Sequence, residues 1–235
     1  MTAVTSDNAF DQVADRYTLE LERGIGVSGE SADFFMNVRV HWLAEALKRH
    51  GEKNIGSILD FGCGTGNAVA PLVDCWKRAR ITGLDPSAKS IAIAEQRYPA
   101  PEQFRWLTSG SSIAEGRFDL AYTSGVFHHI RPEDRDQHLS DIFRWVRPGG
   151  WLAFFENNPW NPGTRWVMSR ISFDRDAICL SIRESNRRLA AAGFEIVEQR
   201  SLFYFPNCVR QLRILERPLS YIPLGAQYVV LARRP

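Results

Sequence analysis

Residues 60 to 66 of this chain read Asp60-Phe61-Gly62-Cys63-Gly64-Thr65-Gly66 and follow the apolar pair Ile58-Leu59. Three alternating glycines let a backbone turn tightly and approach a ligand without Cβ interference. Their spacing separates two ligand classes. A dinucleotide loop needs G-x-G-x-x-G, and the place of its third glycine holds Asn67. Asp60 can bind a cationic amine, so the loop suits an amino-acid end better than a pyrophosphate. Asp85 lies about 20 residues beyond the first glycines, the distance at which a carboxylate accepts both hydroxyl protons of a ribose. A second set of groups is His128, His129 and Glu156. Imidazole titrates near neutrality and can act as a base. Glu156 can orient an amine or hydroxyl, or pair with Arg165. Neighbouring side chains after a strand diverge, so at most one of the two histidines is expected to face a substrate.

An alternating set of strands and helices would position these groups. Ala9 to Glu22 and Asp33 to Arg49 read as helices, and in the second Phe35, Val38, Trp42, Ala46 and Leu47 recur at helical spacing. Strands are expected over 57–61, 79–84, 103–107, 118–123 and 151–156, with helices over 67–76, 87–97 and from Arg131 onward. Ser87 is placed to cap its helix, and proline and acids at Arg131-Pro132-Glu133-Asp134 suit a helix start. Arg147-Pro148-Gly149-Gly150 reads as a strong turn. Residues 157–176, rich in Asn, Pro, Trp and Arg, read as a long loop or insertion whose Trp160 and Trp166 form apolar walls. Ser181-Ile182-Arg183-Glu184 is a capping box for a helix that closes at Gly193. Strands 194–202 and 227–233 follow. This alternation predicts an α/β fold, a doubly wound, mostly parallel sheet with helices on both faces and ligands beyond the strands' carboxyl ends.

Bulk properties narrow the function further. The chain has 235 residues, with 29 Lys and Arg against 27 Asp and Glu. A net charge of +2 predicts no polyanionic partner, so no nucleic acid is expected. Cys63, Cys75, Cys179 and Cys208 form no C-x-x-C pair and no zinc spacing, so reduced thiols and no metal are expected. Met1 to Asn8 carries no signal-type apolar core, and no run reaches the length of a membrane span, so a cytoplasmic protein without membrane partners is expected.

The motifs taken together resemble the class I S-adenosylmethionine-dependent methyltransferases. Leu59 to Gly66 is similar to that family's first motif, and Asp85 to its ribose-binding acid. Phe118-Asp119-Leu120-Ala121-Tyr122 resembles its fourth strand and Val126 to Ile130 the segment after it. Arg147 to Trp151 resembles the turn before its fifth strand, and Ala190 to Phe194 the helix end before the sixth. The resemblance covers about residues 55 to 200, in order. It implies a Rossmann-like sheet of about seven strands, the last antiparallel, and S-adenosylmethionine as cofactor. It implies a cofactor site of Asp60, Gly62, Cys63, Gly64, Thr65, Gly66, Asn67, Asp85, Pro86 and Ser124, with Tyr17 over the methionine end. Many members read adenine with an acid after the third strand. Here that region is Leu107 to Ile113, without an acid, which leaves Ser109, Gly110, Ser111 and Ile113 for the ring.

One domain is expected. It has an N-terminal helical lid (1–50), a cofactor core (51–156), an acceptor-side insertion (157–180) and a C-terminal helix with the final strands (181–235). The reading is methyl transfer to a small organic acceptor at oxygen or nitrogen by in-line displacement. His128, His129 and Glu156 are the catalytic candidates, and Phe35, Trp160 and Arg165 the acceptor candidates. Phe34, Phe173, Phe203 and Phe205 can add to that pocket. Asn157-Asn158-Pro159-Trp160 differs from the N-P-P-[YF] motif of amino methyltransferases in residue and position. The rivals are a methyltransferase of protein or nucleic acid, and a non-catalytic cofactor-binding partner protein. A monomer or homodimer is expected.

Overall fold

The computed structural model describes residues 24–174 and 177–235, so the helix expected over Ala9 to Glu22, and Tyr17 with it, lies outside the described residues. Strands β1 (Ser57–Phe61), β2 (Arg80–Leu84), β3 (Phe104–Leu107), β4 (Phe118–Ser124), β5 (Val146–Asn157), β6 (Glu195–Leu202) and β7 (Gln227–Arg233) form one seven-stranded sheet. Its order is β3-β2-β1-β4-β5-β7-β6, and β7 runs antiparallel to both β5 and β6. The other neighbours are parallel. The helices are α1 (Ala32–Arg49), α2 (Val69–Cys75), α3 (Ala88–Arg97), α4 (Arg135–Trp145), α5 (Pro162–Met168), α6 (Ile182–Ala191) and the short α7 (Glu216–Leu219).

Central strands are apolar on both sides because helices cover both faces. In β5, Trp151, Ala153 and Phe155 join a core with Val40, Leu43 and Leu47 of α1 and Val69 and Leu72 of α2. Leu152 and Phe154 point the other way, into a core with Leu139 and Ile142 of α4 and Leu189 of α6. A period of two thus divides one strand between two cores. The sheet is also clamped at the end remote from the ligand crevice. Asp119 accepts hydrogen bonds from the Gly56 and Ser57 amides (2.9 and 2.8 Å), from Ser57 Oγ (2.8 Å) and from Arg147 Nε (2.6 Å).

The topology creates the crevice. From β1 the chain steps outward to β2 and β3, then returns to the other side of β1 as β4. The crossovers diverge between β1 and β4, and the carboxyl ends of those strands open between them.

Three local expectations change. Arg147 to Gly150 is not a turn ahead of β5. Val146 pairs with Phe118 and Trp151 with Leu120, so residues 147–150 bulge out within the strand. Residues 157–176 are not one loop, because they hold α5. Asn161 caps α5 by accepting the Thr164 amide at 2.9 Å, with Pro162 in its first turn. Arg131 to Asp134 forms a turn before α4 rather than its first turn, and Arg131 Nε donates to Asp134 Oδ2 at 2.9 Å. Ser87 caps α3 as expected, accepting the Ser90 amide at 3.1 Å. Among the described residues no helix is long and apolar enough to cross a membrane.

Candidate active site at the switch point of the sheet

Gly62, Gly64 and Gly66 all have positive φ (74°, 52° and 79°), which is why the loop after β1 requires glycine. The loop is tied to β2. The amides of Gly62 and Cys63 donate to Leu84 O (2.8 and 3.2 Å). The Gly64 amide donates to Asp85 Oδ2 (2.9 Å), and the Ser87 amide to Asp85 Oδ1 (2.9 Å). Asp85 thus fixes the glycine loop against the start of α3. A Cβ on Gly62 would lie 2.3 Å from Val126, whereas one on Gly64 would meet nothing within 4 Å. Gly64 therefore leaves a cradle that any side chain would fill.

That cradle opens into a cavity of about 690 Å³. Gly62, Gly64, Thr65, Asp85 and Pro86 line it, as do Ser109, Gly110, Ser111 and Ile113 and also Ser124. Glu115, Asp134 and Trp145 are among the other lining residues, and the sequence reading did not anticipate them. Glu115 supplies a carboxylate two residues beyond the segment in which no acid was found. Cys63 and Gly66 do not line the cavity. Cys63 is buried, and Gly66 packs against Tyr98 and Trp106. Asn67 turns the other way and holds Arg97, whose Nη1 donates to Asn67 Oδ1 at 2.8 Å.

Asp60, near the carboxyl end of β1, is 3 % exposed and lines neither cavity. Its Oδ2 has no hydrogen-bond partner among the described residues. Burial first, and then the nearby Asp85 charge, raise its pKa to about 7. A buried carboxyl with an unpartnered oxygen is the feature a cationic amine would satisfy.

A second cavity, of about 890 Å³, lies on the other side of the β4 end. Phe34, Phe35 and Phe203 form an aromatic wall, with Phe35 and Phe203 in edge contact at 4.8 Å. Phe203 has a φ of 63°, a strained backbone for an aromatic residue, and it faces this cavity. Two guanidiniums lie over these rings. Arg39 is 6.0 Å from the Phe203 centroid and Arg213 4.7 Å from that of Phe34. Trp166 also lines the cavity. Trp160 and Arg165 do not: both are exposed and face away. They are not brought to the site, because Asn161 starts α5 immediately after Trp160 and turns only its Gly163–Thr164 and Trp166–Met168 sides inward.

Three residues line both cavities: Ser124, Gly125 and His129. Next to them Glu156 organises the segment after β4. Its Oε1 accepts the amides of Val126 (3.0 Å) and Phe127 (2.7 Å), and its Oε2 lies 2.6 Å from His128 Nδ1. Glu156 therefore pairs with His128 and not with Arg165. The two histidines do not diverge. Residues 126–130 form a turn, in which the His129 amide donates to Val126 O, and both imidazoles approach Asp174. His128 Nε2 lies 3.6 Å and His129 Nε2 3.2 Å from Asp174 Oδ1. Asp174 sits in a stretch without motif or periodicity, and nothing in the sequence singled it out. Buried Arg135 holds this region together, donating from Nε to Ile130 O (2.9 Å) and from Nη2 to Ile178 O (2.5 Å).

The charges follow from this geometry. Burial opposes charge on His128, but Glu156 and Asp174 override it and raise its pKa to about 10. Burial and the His128 charge lower that of His129. Burial would raise the carboxyls. The two histidines nevertheless hold Asp174 down at about 2, and His128 holds Glu156 below its usual range.

The chain matches the methyltransferase-domain family model over residues 59–152. It is 31 % identical over 121 residues to a trans-aconitate 2-methyltransferase of Azoarcus sp., covering 51 % of this chain and 46 % of that one. It is 32 % identical over 139 residues to a tRNA N(3)-methylcytidine methyltransferase of Schizosaccharomyces pombe, covering 52 % and 44 %. The chain spans about half the length of these curated relatives. Its fold is shared with a solved phosphoethanolamine N-methyltransferase of Haemonchus contortus bound to S-adenosylmethionine. The TM-score is 0.68 at 16 % identity, over 99 % of this chain and 60 % of that one.

Proposed function

Because this chain belongs to the class I S-adenosylmethionine-dependent methyltransferases, we propose that it transfers a methyl group to a small organic acceptor at oxygen or nitrogen, by direct in-line displacement. When bound, S-adenosylmethionine supplies an electrophilic methyl on a positive sulfonium. The chain's residues fit that cofactor. The Gly64 cradle and the unpartnered Asp60 oxygen suit its amino-acid end, and Asp85 its ribose. Ser109, Gly110, Ser111, Ile113 and Glu115 remain for adenine.

The observation that carries the reading is the junction of the two cavities at Ser124, Gly125 and His129. Donor and acceptor held in separate chambers with one shared wall meet in line, and orientation of that kind supplies much of the rate. The aromatic wall and Arg39 suit an acceptor with an apolar body and an anionic group. The relative named for trans-aconitate supports such an acid. The nucleophile's proton passes to solvent past the edge formed by His129 and Asp174, while Glu156 and His128 keep that edge in position.

Incubation with methyl-labelled cofactor tests this reading. Label is expected in one or more members of a panel of carboxylic acids, phenols and amines, and not in bulk tRNA or rRNA. Label in RNA alone would establish the rival suggested by the tRNA relative. Gly64→Ala should fold with a melting temperature within a few degrees of wild type, at a local cost of about 1–2 kcal/mol for positive φ. Because its methyl fills the cradle, it should bind S-adenosylhomocysteine at least about tenfold more weakly, about 1.4 kcal/mol. Unchanged affinity in calorimetry would remove the cradle assignment.

A further inference from the structure

We propose that His128, His129 and Asp174 bind one divalent transition-metal ion of the zinc type, on the acceptor side of the cavity junction. The inference deepens the proposed reaction and, for the ion's role though not for its binding, rests on it.

The geometry is that of a ligand set. No two of the three donor atoms are more than 4.8 Å apart. The imidazole–carboxylate separations are 3.2 and 3.6 Å. Metal–ligand bonds of about 2.0–2.1 Å put neighbouring ligand atoms about 3.0–3.4 Å apart, so a closure of a few tenths of an ångström at His128 completes those edges. This is not an exposed acidic cluster, since His128 is 3 % and Asp174 7 % exposed.

The surroundings match as well. A metal-bound histidine gives its other ring N–H to a carboxylate that is itself fixed. His128 Nδ1 faces Glu156 Oε2 at 2.6 Å, and the other Glu156 oxygen is held by two amides. His128 Nε2 is therefore the atom turned toward Asp174. Two imidazoles and one carboxylate suit a borderline ion such as Zn²⁺, Co²⁺ or Fe²⁺ rather than Mg²⁺. The Glu156 and Asp174 carboxylates match a dipositive charge in a buried place. In the absence of the ion a proton on His128 Nε2 occupies the same space.

Three protein ligands leave further coordination positions open, the pattern of a catalytic rather than a structural ion. All three residues line the acceptor cavity, so an open position faces the acceptor. An acceptor hydroxyl bound there becomes acidic. Its O–H proton passes to solvent, and the oxygen electron pair forms the new O–CH₃ bond as the methyl's bond to sulfur breaks. The sequence gives no warning of this set, because Asp174 is 45 residues beyond His129 and forms no spacing motif with it.

Chelator-stripped protein titrated with Co²⁺ alone, and separately with Zn²⁺ alone, tests the proposal. One equivalent should bind, with the visible absorption of cobalt in a low-symmetry nitrogen and oxygen site. His129→Ala and Asp174→Asn should each weaken the ion about 100-fold, and Asp174→Asn, whose residue does not line the cofactor cavity, should bind S-adenosylhomocysteine within about threefold of wild type. No binding at millimolar metal, or equal binding in the variants, overturns the site. Methyl transfer at an undiminished rate in chelator overturns its role. An ion that binds as described in a protein that transfers no methyl leaves the site standing and removes the transferase reading instead.

Discussion

Replacing Asp85 with alanine should raise the dissociation constant for S-adenosylhomocysteine about 100- to 1000-fold in calorimetry. The side chain acts twice. Its two oxygens accept the Gly64 and Ser87 amides at 2.9 Å each, which fixes the glycine loop in its positive-φ conformation. The same carboxylate lines the cofactor cavity, where it can accept both ribose hydroxyls. Hydrogen bonds to a charged group contribute about 1.5–3 kcal/mol each. Two of them give about 3–6 kcal/mol. The half-buried position keeps the effect to the lower part, about 3–4 kcal/mol, and at about 1.4 kcal/mol per tenfold that is the range stated. Asp85→Asn keeps one acceptor oxygen and should lie between, with a loss of about tenfold. The residue is only half-buried and lies outside both cores, so the melting temperature should fall by no more than a few degrees. An alanine variant that binds the product cofactor normally would end the assignment. Binding of NAD in its place would end the family-based reading of the loop.

Much of the first cavity's lining was legible in the sequence because local rules fix it, although Cys63, Gly66 and Asn67 do not reach it. A glycine loop needs its glycines, the acid at the end of β2 has a fixed distance from them, and both sit at a switch point that strand order alone creates. The second cavity was less legible, and for a physical reason. Phe34 and Phe35 on α1, Phe203 after β6 and Trp166 on α5 come from elements far apart in the chain, and long-range packing brings them together. Trp160 has the same composition as Trp166 but lies ahead of the Asn161 cap, so it turns outward. The Asn161-Pro162 pair was a helix-start signal within a stretch read as loop. The expectation that the two histidines diverge failed because Glu156 gathers the Val126 and Phe127 amides and winds that segment into a turn. Glu115 escaped notice because the chain folds back after a short 3₁₀ turn over Gly110–Ser112, returning an acid to the cavity a few residues late.

The largest stability effect is expected at Glu156. Glu156→Gln removes the charge that faces His128 and leaves a buried imidazole against an amide. Removing one partner of a buried pair costs about 3–5 kcal/mol. For a chain of this size that lowers the melting temperature by about 10 °C. The pH dependence identifies the cause. In the folded protein His128 titrates at about 10, above its ordinary 6.5. Its contribution is therefore complete below about pH 6.5 and is lost as pH rises through 10. Glu156 is shifted down from 4.5, so its contribution is present above that value and is lost as pH falls through the lowered one. The gap between wild type and variant should then be widest between about pH 5 and 6.5 and should close toward pH 10. Thermal unfolding in chelator measures it with protons alone in the site. A gap that does not change with pH would mean that Glu156 matters only through the Val126 and Phe127 amides, with no charge exchanged with His128. A variant as stable as wild type would mean that the turn carrying both histidines holds its shape without the carboxylate, and the support assigned to Glu156 would have to come from Arg135 and its two carbonyl partners instead.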